Sequence, residues 1–545
     1  VSTPIETQAA DDPRGAAGAA EHGVLEQDAE AGPGWRRLDA RMLLVHPIVE
    51  VGKALPAIAG AFLAGRSSGG DAGSRWSLGI AALVIAFSLL RWFTTRYRIA
   101  GGQIQLRLGL VRRRTVAARL DRVRTVDVTS HALHRVLGLA RVSIGTGTSD
   151  RKGRDKLVLD GLPAREAAGL RAELLHRSRA APDAAESTGA TDSAISLAKE
   201  APGADEELAS IQASWIRYAP FTLTGAVTGL ALLGVVWRIV SEGHVNLSRL
   251  GPYHAAQRHL ERWPTGIDIL AVAGAVIAFI ALASTVGYVL SFWRFRLTRH
   301  PGGTLHVTRG LITTRATSVE RRRLLGAELS EPLLLRSVGG ARTLAIATGL
   351  RVGRGSERGG EILLPPAPRD AAIAVAGAVI EVDPQRGAAL FEDELTPHPA
   401  GALRRRITRA VGGAALLSAA AAILAWWAGS PSWVLLPALA PLLCALPLGV
   451  DRYRSLGHGL VDGYLVTRFG SVVRRRSALD VEGVIGWNIK TTFFQRRLGL
   501  ATLVATTAAG RQGYPIADMA ERDAAGFAEA VTPGLLAPFA LSAEI

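Results

Sequence analysis

The sequence predicts an α+β membrane protein in which three transmembrane helical hairpins, six helices in all, each precede a strand-rich domain that closes with a helix. Three observations carry the prediction. Apolar runs of near-bilayer length come two at a time, arginines cluster at the outer ends of each pair, and the segment after each pair repeats one residue pattern.

Composition sets the class. The mean hydropathy is positive, +0.21, although 20% of the residues are charged, so apolar and charged residues must be segregated into blocks. Lys and Arg number 63 against 47 Asp and Glu, a formal charge of +16. Lysine stands only at 53, 152, 156, 199 and 490, so arginine supplies the charge. That balance suits an anionic membrane face or nucleic acid. Because the arginines gather beside the apolar runs, membrane topology already accounts for them, and no nucleic-acid partner is expected. The single cysteine, Cys444, excludes disulfides within the chain and thiolate metal clusters, and the twelve histidines show no metal-ligand spacing. No metal and no cofactor are expected.

In chain order, residues 1–34 are rich in Ala, Gly and acids, lack a signal-peptide pattern and read as a disordered tail. The first hairpin, 35–95, has spans near 42–64 and 76–93. Its domain covers 96–177, and 178–210 reads as a linker. The second hairpin, 211–293, has spans near 216–237 and 266–293, followed by a domain at 294–382 and a linker at 383–402. The third, 403–451, has spans near 408–428 and 432–450, with its domain at 452–535. Arg36, Arg37 and Arg41 precede the first span, Arg294, Arg296 and Arg299 follow the fourth, and Arg404, Arg405, Arg406 and Arg409 open the fifth. The loops within each pair are poorer in arginine, so the positive-inside rule places the termini and all three domains in the cytoplasm.

The domains repeat a signature. Arg135-Val-Leu-Gly138-Leu-Ala140 recurs as Arg336-Ser-Val-Gly339-Gly-Ala341 and as Arg496-Arg-Leu-Gly499-Leu-Ala501. Each copy opens on a basic-aromatic triplet: Arg96-Tyr97-Arg98, Arg294-Phe295-Arg296, Arg452-Tyr453-Arg454. Strand-like alternation follows, as in Ile104, Leu106 and Leu108 against Gln103, Gln105 and Arg107. Then come a glycine (Gly109, Gly310, Gly470) and a run of three arginines. An acid followed by alanine near the end of each copy marks a helix start.

Paired spans followed by Arg96-Tyr97-Arg98, Arg107-Leu-Gly109-Leu110 and Leu133-His-Arg135-Val-Leu-Gly138-Leu139, with Phe494-Gln-Arg496-Arg-Leu-Gly499-Leu500 in the third copy, give a chain that resembles the YdbS/YdbT-like bacterial membrane proteins with pleckstrin-homology (PH) domains. His46-Pro47 and His398-Pro399 match the His-Pro that introduces a hairpin in that family. The resemblance implies a PH-like sandwich or open barrel with a C-terminal helix and a multi-pass place in the bacterial plasma membrane. It implies no particular activity.

Two residue groups are candidate sites. Arg112, Arg113, Arg114, Arg321, Arg322, Arg323, Arg474, Arg475 and Arg476 are candidate lipid contacts, since a basic residue near an anionic surface contributes about 1 kcal/mol. A solvated basic face imposed by topology explains the same residues. His46, Glu50 and Lys53 lie one helical turn apart inside the first span, where ionisable groups are functional candidates by default; an interfacial pair that snorkels is the plainer alternative. Gly65-Arg-Ser67-Ser-Gly69 matches a nucleophile-elbow pattern but lies in a loop between spans, without the strand and helix such an elbow needs.

The expected function is a non-catalytic, membrane-anchored scaffold or adaptor. It presents three cytoplasmic PH-like domains to anionic inner-leaflet lipids or to a protein partner, and it self-associates into a homo-oligomer. A transporter or channel component of the bacterial envelope is the alternative, disfavoured by nearly charge-free spans and short outer loops.

Overall fold

The computed structural model describes residues 35–45, 47–48, 50, 72–100, 103–108, 114–119, 125–145, 157–167, 169–170, 205–242, 265–349, 362–429 and 439–535. The tail, most of the first span and most of the first linker lie outside the described residues. The chain forms two compact units, one drawn from 1–123, 133–143 and 150–188, the other from 124–132, 144–149 and 189–545.

In the first unit, β1 (Arg36–Arg37), β2 (Arg96–Ala100), β3 (Gln103–Leu108) and β4 (Arg114–Arg119) form an antiparallel sheet in that order. The predicted alternation holds: Ile104 and Leu106 are buried, while Gln103 and Gln105 are half-buried and Arg107 is exposed. Helix α1 (Ala72–Thr94) feeds directly into β2, and Trp92 Nε1 donates to the Asp39 carbonyl at 3.2 Å, tying the chain around Asp39 to the end of α1. The strand β5 (Thr125–Ser130) belongs to the second unit. After it come the short helix α2 (Ala132–Val136), β6 (Leu139–Gly145) and β7 (Leu157–Pro163).

The second unit carries β8 (Glu206–Ser210), a 3-10 segment (Ala213–Phe221), α3 (Leu223–Glu242) and α4 (Thr265–Phe292). A complete copy of the repeat comes next: β9 (Arg296–Arg299), β10 (Thr304–Arg309), β11 (Thr314–Glu320), β12 (Leu324–Pro332), α5 (Leu333–Ser337), β13 (Gly340–Ala347), β14 (Ile362–Pro368) and α6 (Arg369–Ile380). After α7 (Pro384–Glu392), α8 (Ala400–Trp427) and α9 (Ala440–Arg454), the order recurs as β15 (Gly457–Val461), β16 (Tyr464–Phe469), β17 (Val473–Asp480), β18 (Gly486–Lys490), α10 (Phe493–Arg496), β19 (Leu500–Thr506), β20 (Gly513–Ala520) and α11 (Glu521–Val531). The architecture is thus mixed α/β with sheet-rich repeats.

The signature glycines explain the shared turn. Gly138, Gly339 and Gly499 all have φ between 62° and 72°, the left-handed conformation that ends a short helix without a Cβ penalty. The carbonyl of each then accepts from the residue that opens the terminal helix, Ala164, Arg369 or Glu521, at 2.8–3.0 Å. The alanine two residues further on is buried in all three copies.

Two helices among the described residues are long and apolar enough to cross a membrane, Leu270–Phe292 and Ala400–Trp427; a bent pair, Ala213–Phe221 with Gly225–Gly234, passes only as one broken span. The predicted third span is therefore a 3-10 turn followed by a helix, because Pro220 interrupts it. The predicted sixth is described only from 439, where α9 runs for 15 residues with Pro447 inside.

The stretches read as linkers also hold structure. β8 pairs with β9, setting Glu206 opposite Arg299 with an ion pair at 3.2 Å. α7 buries Leu390 and Phe391. Acidic or Pro- and Gly-containing composition reads as a linker in each case, but β8 and α7 supply partners to the basic strands they meet.

Candidate functional site

Residues from successive repeats share sheets. In the second unit the third strand of one copy pairs antiparallel with the fourth strand of the copy before it. β11 pairs with β5, placing Thr314 opposite Ser130, Arg315 opposite Thr129 and Thr317 opposite Asp127. β17 pairs with β12, placing Arg474 opposite Glu331, Arg475 opposite Ser330 and Ser477 opposite Glu328. Counted from Gly310 and Gly470 on one side and from Arg135 and Arg336 on the other, the two junctions have one register.

At the second junction Glu328, 3% exposed, accepts from Arg475 at 3.0 Å and Arg511 at 2.9 Å through Oε1, and from Ser477 at 3.1 Å through Oε2. Burial pushes the Glu328 pKa up, and Arg511, Ser477 and Arg342 oppose that shift. A buried carboxylate held by two guanidiniums makes the pairing specific: losing one partner of a buried ion pair costs about 3–5 kcal/mol. At the same register position in the first junction stands Asp127, whose charge, with that of Arg315, acts on buried Arg309. Gly326, with φ 155°, lets the strands approach: a Cβ there would stand 2.0 Å from the Ala478 carbonyl oxygen.

A second polar cluster fixes the third repeat to α8. Asp518, fully buried at φ 63°, accepts from Arg405, from Arg406 Nε at 2.7 Å and from Gln495 Nε2 at 2.8 Å. His398 Nδ1 donates to the Asp518 carbonyl at 3.1 Å. A carbonyl only accepts, so neutral His398 presents Nε2 as acceptor, and His458 Nδ1 donates to it at 3.2 Å. Burial first, and the charge His398 would carry second, depress the His458 pKa to about 4, with Asp523 opposing. The equivalent position on the last strand, three residues before the terminal helix opens, is also bonded in the other copies: Asp39 N donates to Gly161 O at 3.2 Å, and Tyr288 Oη to Pro366 O at 2.9 Å. In the first unit Asp160 binds His134 and Arg141; burial alone would raise its pKa, yet those two partners hold it well below the carboxylate range.

The predicted site residues fare unequally. Arg476, 3% exposed, donates to the carbonyls of Leu390, Ala389 and Asp393 and so serves as a structural tie. Arg474 is bound to Ser455 and Asp451, and Arg475 to Glu328. Arg321 serves the Leu324 and Ile380 carbonyls and Glu381, Arg323 pairs with Glu320, and Arg322 is exposed. The second triplet forms a 3-10 turn after β11. It is not the counterpart of the others: Arg315 stands in register with Arg114 and Arg475. Arg112, Arg113, His46 and Lys53 lie outside the described residues. Glu50 is half-buried on a helix and its charge reaches Arg141. Sequence reading missed Glu328 and Asp518, because a lone acid in a strand announces nothing until its partners arrive from distant segments.

Residues 49–178 and 406–533 match the family of the bacterial PH domain. The match takes in the first and third repeats with much of the apolar runs before them, and the middle repeat has the same strand order outside it. No curated protein and no solved structure matches the chain.

Gly326→Ala is expected to destabilise the purified protein by about 1–3 kcal/mol, seen as a lower melting temperature, while Gly526→Ala on exposed α11, with open space at its Cβ, is neutral or stabilising. Because the folded pKa of His458 lies below its ordinary 6.5, the unfolded chain binds more protons between about pH 4 and 6.5, so stability falls as pH drops through that window. Thermal unfolding of His458→Gln between pH 7 and 5 should show a shallower loss than the native protein.

Proposed function

We propose that this chain is a membrane-anchored, non-catalytic scaffold that holds PH-like domains on the cytoplasmic face of a bacterial plasma membrane. The observation that carries the reading is the repeated strand junction. Strands joined through one register, with Arg475 and Arg476 committed to an internal carboxylate and internal carbonyls, are built to hold a surface in place. PH-like domains suggest interaction in place of chemistry, although a fold by itself does not assign a function.

Membrane anchoring is supported by α4 and α8 and by how the repeats meet them. Gly310 N donates to Trp293 O and Leu311 N to Leu290 O, both at 2.9 Å, which seats the β10–β11 turn on the last turns of α4. Leu311 and Ile312, at 37% and 49% exposed, then stand apolar beside a span, as a lipid-contacting turn would. The resemblance to YdbS/YdbT-like proteins fits three hairpins and six spans. Lipid head groups remain partners in this proposal through Arg322 and the arginines flanking the spans.

Sidedness tests the reading. Fluorescent-protein and alkaline-phosphatase reporters fused after Leu170, Glu392 and Leu535 are expected to report the cytoplasm at all three points. A single extracytoplasmic signal would end the scaffold as described.

A further inference from the structure

The two internal junctions define a rule that the chain leaves incomplete at one edge. β11 and β17 each take the fourth strand of the preceding repeat. Their counterpart β4 ends its sheet, and among the described residues no strand lies on its outer side. Its register is that of the other two: Leu108 faces Arg114 as Arg309 faces Arg315 and Phe469 faces Arg475. Arg114 therefore occupies the position whose counterpart Arg475 binds Glu328.

Among the described residues the chain has one fourth strand at the edge of its sheet, β18. Asn488 there faces Val504 as Glu328 faces Leu344, so Asn488 stands where the other two copies have Asp127 and Glu328. Lys490 stands where they have Thr129 and Ser330. If a second copy brought β18 to β4, Lys490 would lie opposite Arg114 and no carboxylate would meet that arginine. Like charges directly opposite across strands are destabilising, and a lysine on an edge strand is a guard against pairing.

We propose that the outer edge of β4 is a docking site for the fourth strand of a PH-like repeat carried by a different polypeptide, one with a carboxylate at the position Glu328 holds in β12. Main-chain hydrogen bonds to β4 give the affinity, and the carboxylate opposite the Arg114 region gives the selectivity. The inference rests on the scaffold reading and names its partner class: a protein whose own fourth strand extends the sheet of the first repeat, a role from which Lys490 keeps β18.

The test uses the full chain in detergent with Cys444→Ser and Thr115→Cys, and a synthetic peptide of the β12 sequence, residues 324–337, with Leu329→Cys as the probe. The pairs Arg476 with Leu329 and Ala316 with Val128 place Thr115 opposite that cysteine. Disulfide trapping of this peptide is expected, and roughly tenfold less with Glu328→Gln and Glu331→Gln in the peptide, the loss of a charge-assisted contact. A β18-sequence peptide with Ile489→Cys should trap no better than the amide peptide. Equal trapping of the β18 peptide, or covalent dimers of a full chain carrying Thr115→Cys and Ile489→Cys, would show head-to-tail self-pairing and overturn the proposal, as would no trapping of the acidic peptide. A parallel chain with Glu331→Cys and Arg474→Cys reports the internal junction. If that pair closes while Thr115 stays free, this inference fails alone; if neither forms, the scaffold reading fails with it.

Discussion

Everything in the second unit depends on main-chain pairing between strands of successive repeats. A strand at a sheet edge exposes a row of unpaired N–H and C=O groups, and leaving them buried without partners costs about 1–3 kcal/mol each. Each repeat divides its strands between two sheets and so generates such edges. β12 resolves them by pairing with β13 on one side and β17 on the other, and nearly all of its residues are buried as a result. Ile346 of the middle repeat consequently packs in one apolar cluster with Leu465, Leu479 and Leu503 of the third. The fusion is therefore a matter of shared core as well as shared hydrogen bonds.

That constraint changes the meaning of the basic composition. Several arginines are drawn inward, because strands packed against one another create buried carboxylates and carbonyls that need donors. Arg476 bridges three carbonyls around the end of α7, Arg475 and Arg511 converge on Glu328, and Arg405 and Arg406 converge on Asp518. Arginine suits these places, since its planar fork satisfies several acceptors at once and keeps its charge when buried. Arg336, the signature arginine of the middle repeat, likewise reaches Asp451 at the end of α9 at 2.8 Å.

Much of the repeat was legible in the sequence, and the reasons are local. The Arg-x-x-Gly-x-Ala signature encodes a short helix, a left-handed stop and a buried small residue, all within one turn of chain. The alternation around Ile104 and Leu106 encodes a half-buried strand in the same way. What sequence reading could not deliver is non-local. Arg321, Arg322 and Arg323 mimic the other triplets in composition, and only strand register shows that Arg315 is the true counterpart. β8 and α7 have the acidic or Pro- and Gly-containing composition of linkers, and only the basic strands they meet explain their order. The paired apolar runs were clear, yet Pro220, inside the 3-10 segment that precedes α3, shows that hydropathy alone does not fix where a continuous helix begins.

Hydrogen exchange on the full chain in detergent, read by mass spectrometry, tests the shared-sheet account most directly. Amides of β12 and β17 should exchange as slowly as those of the interior strands β13 and β16, while β18, paired on one side among the described residues, exchanges faster. Fast exchange along both β12 and β17, at the rate of β18, would mean that each repeat closes on itself and that no junction exists.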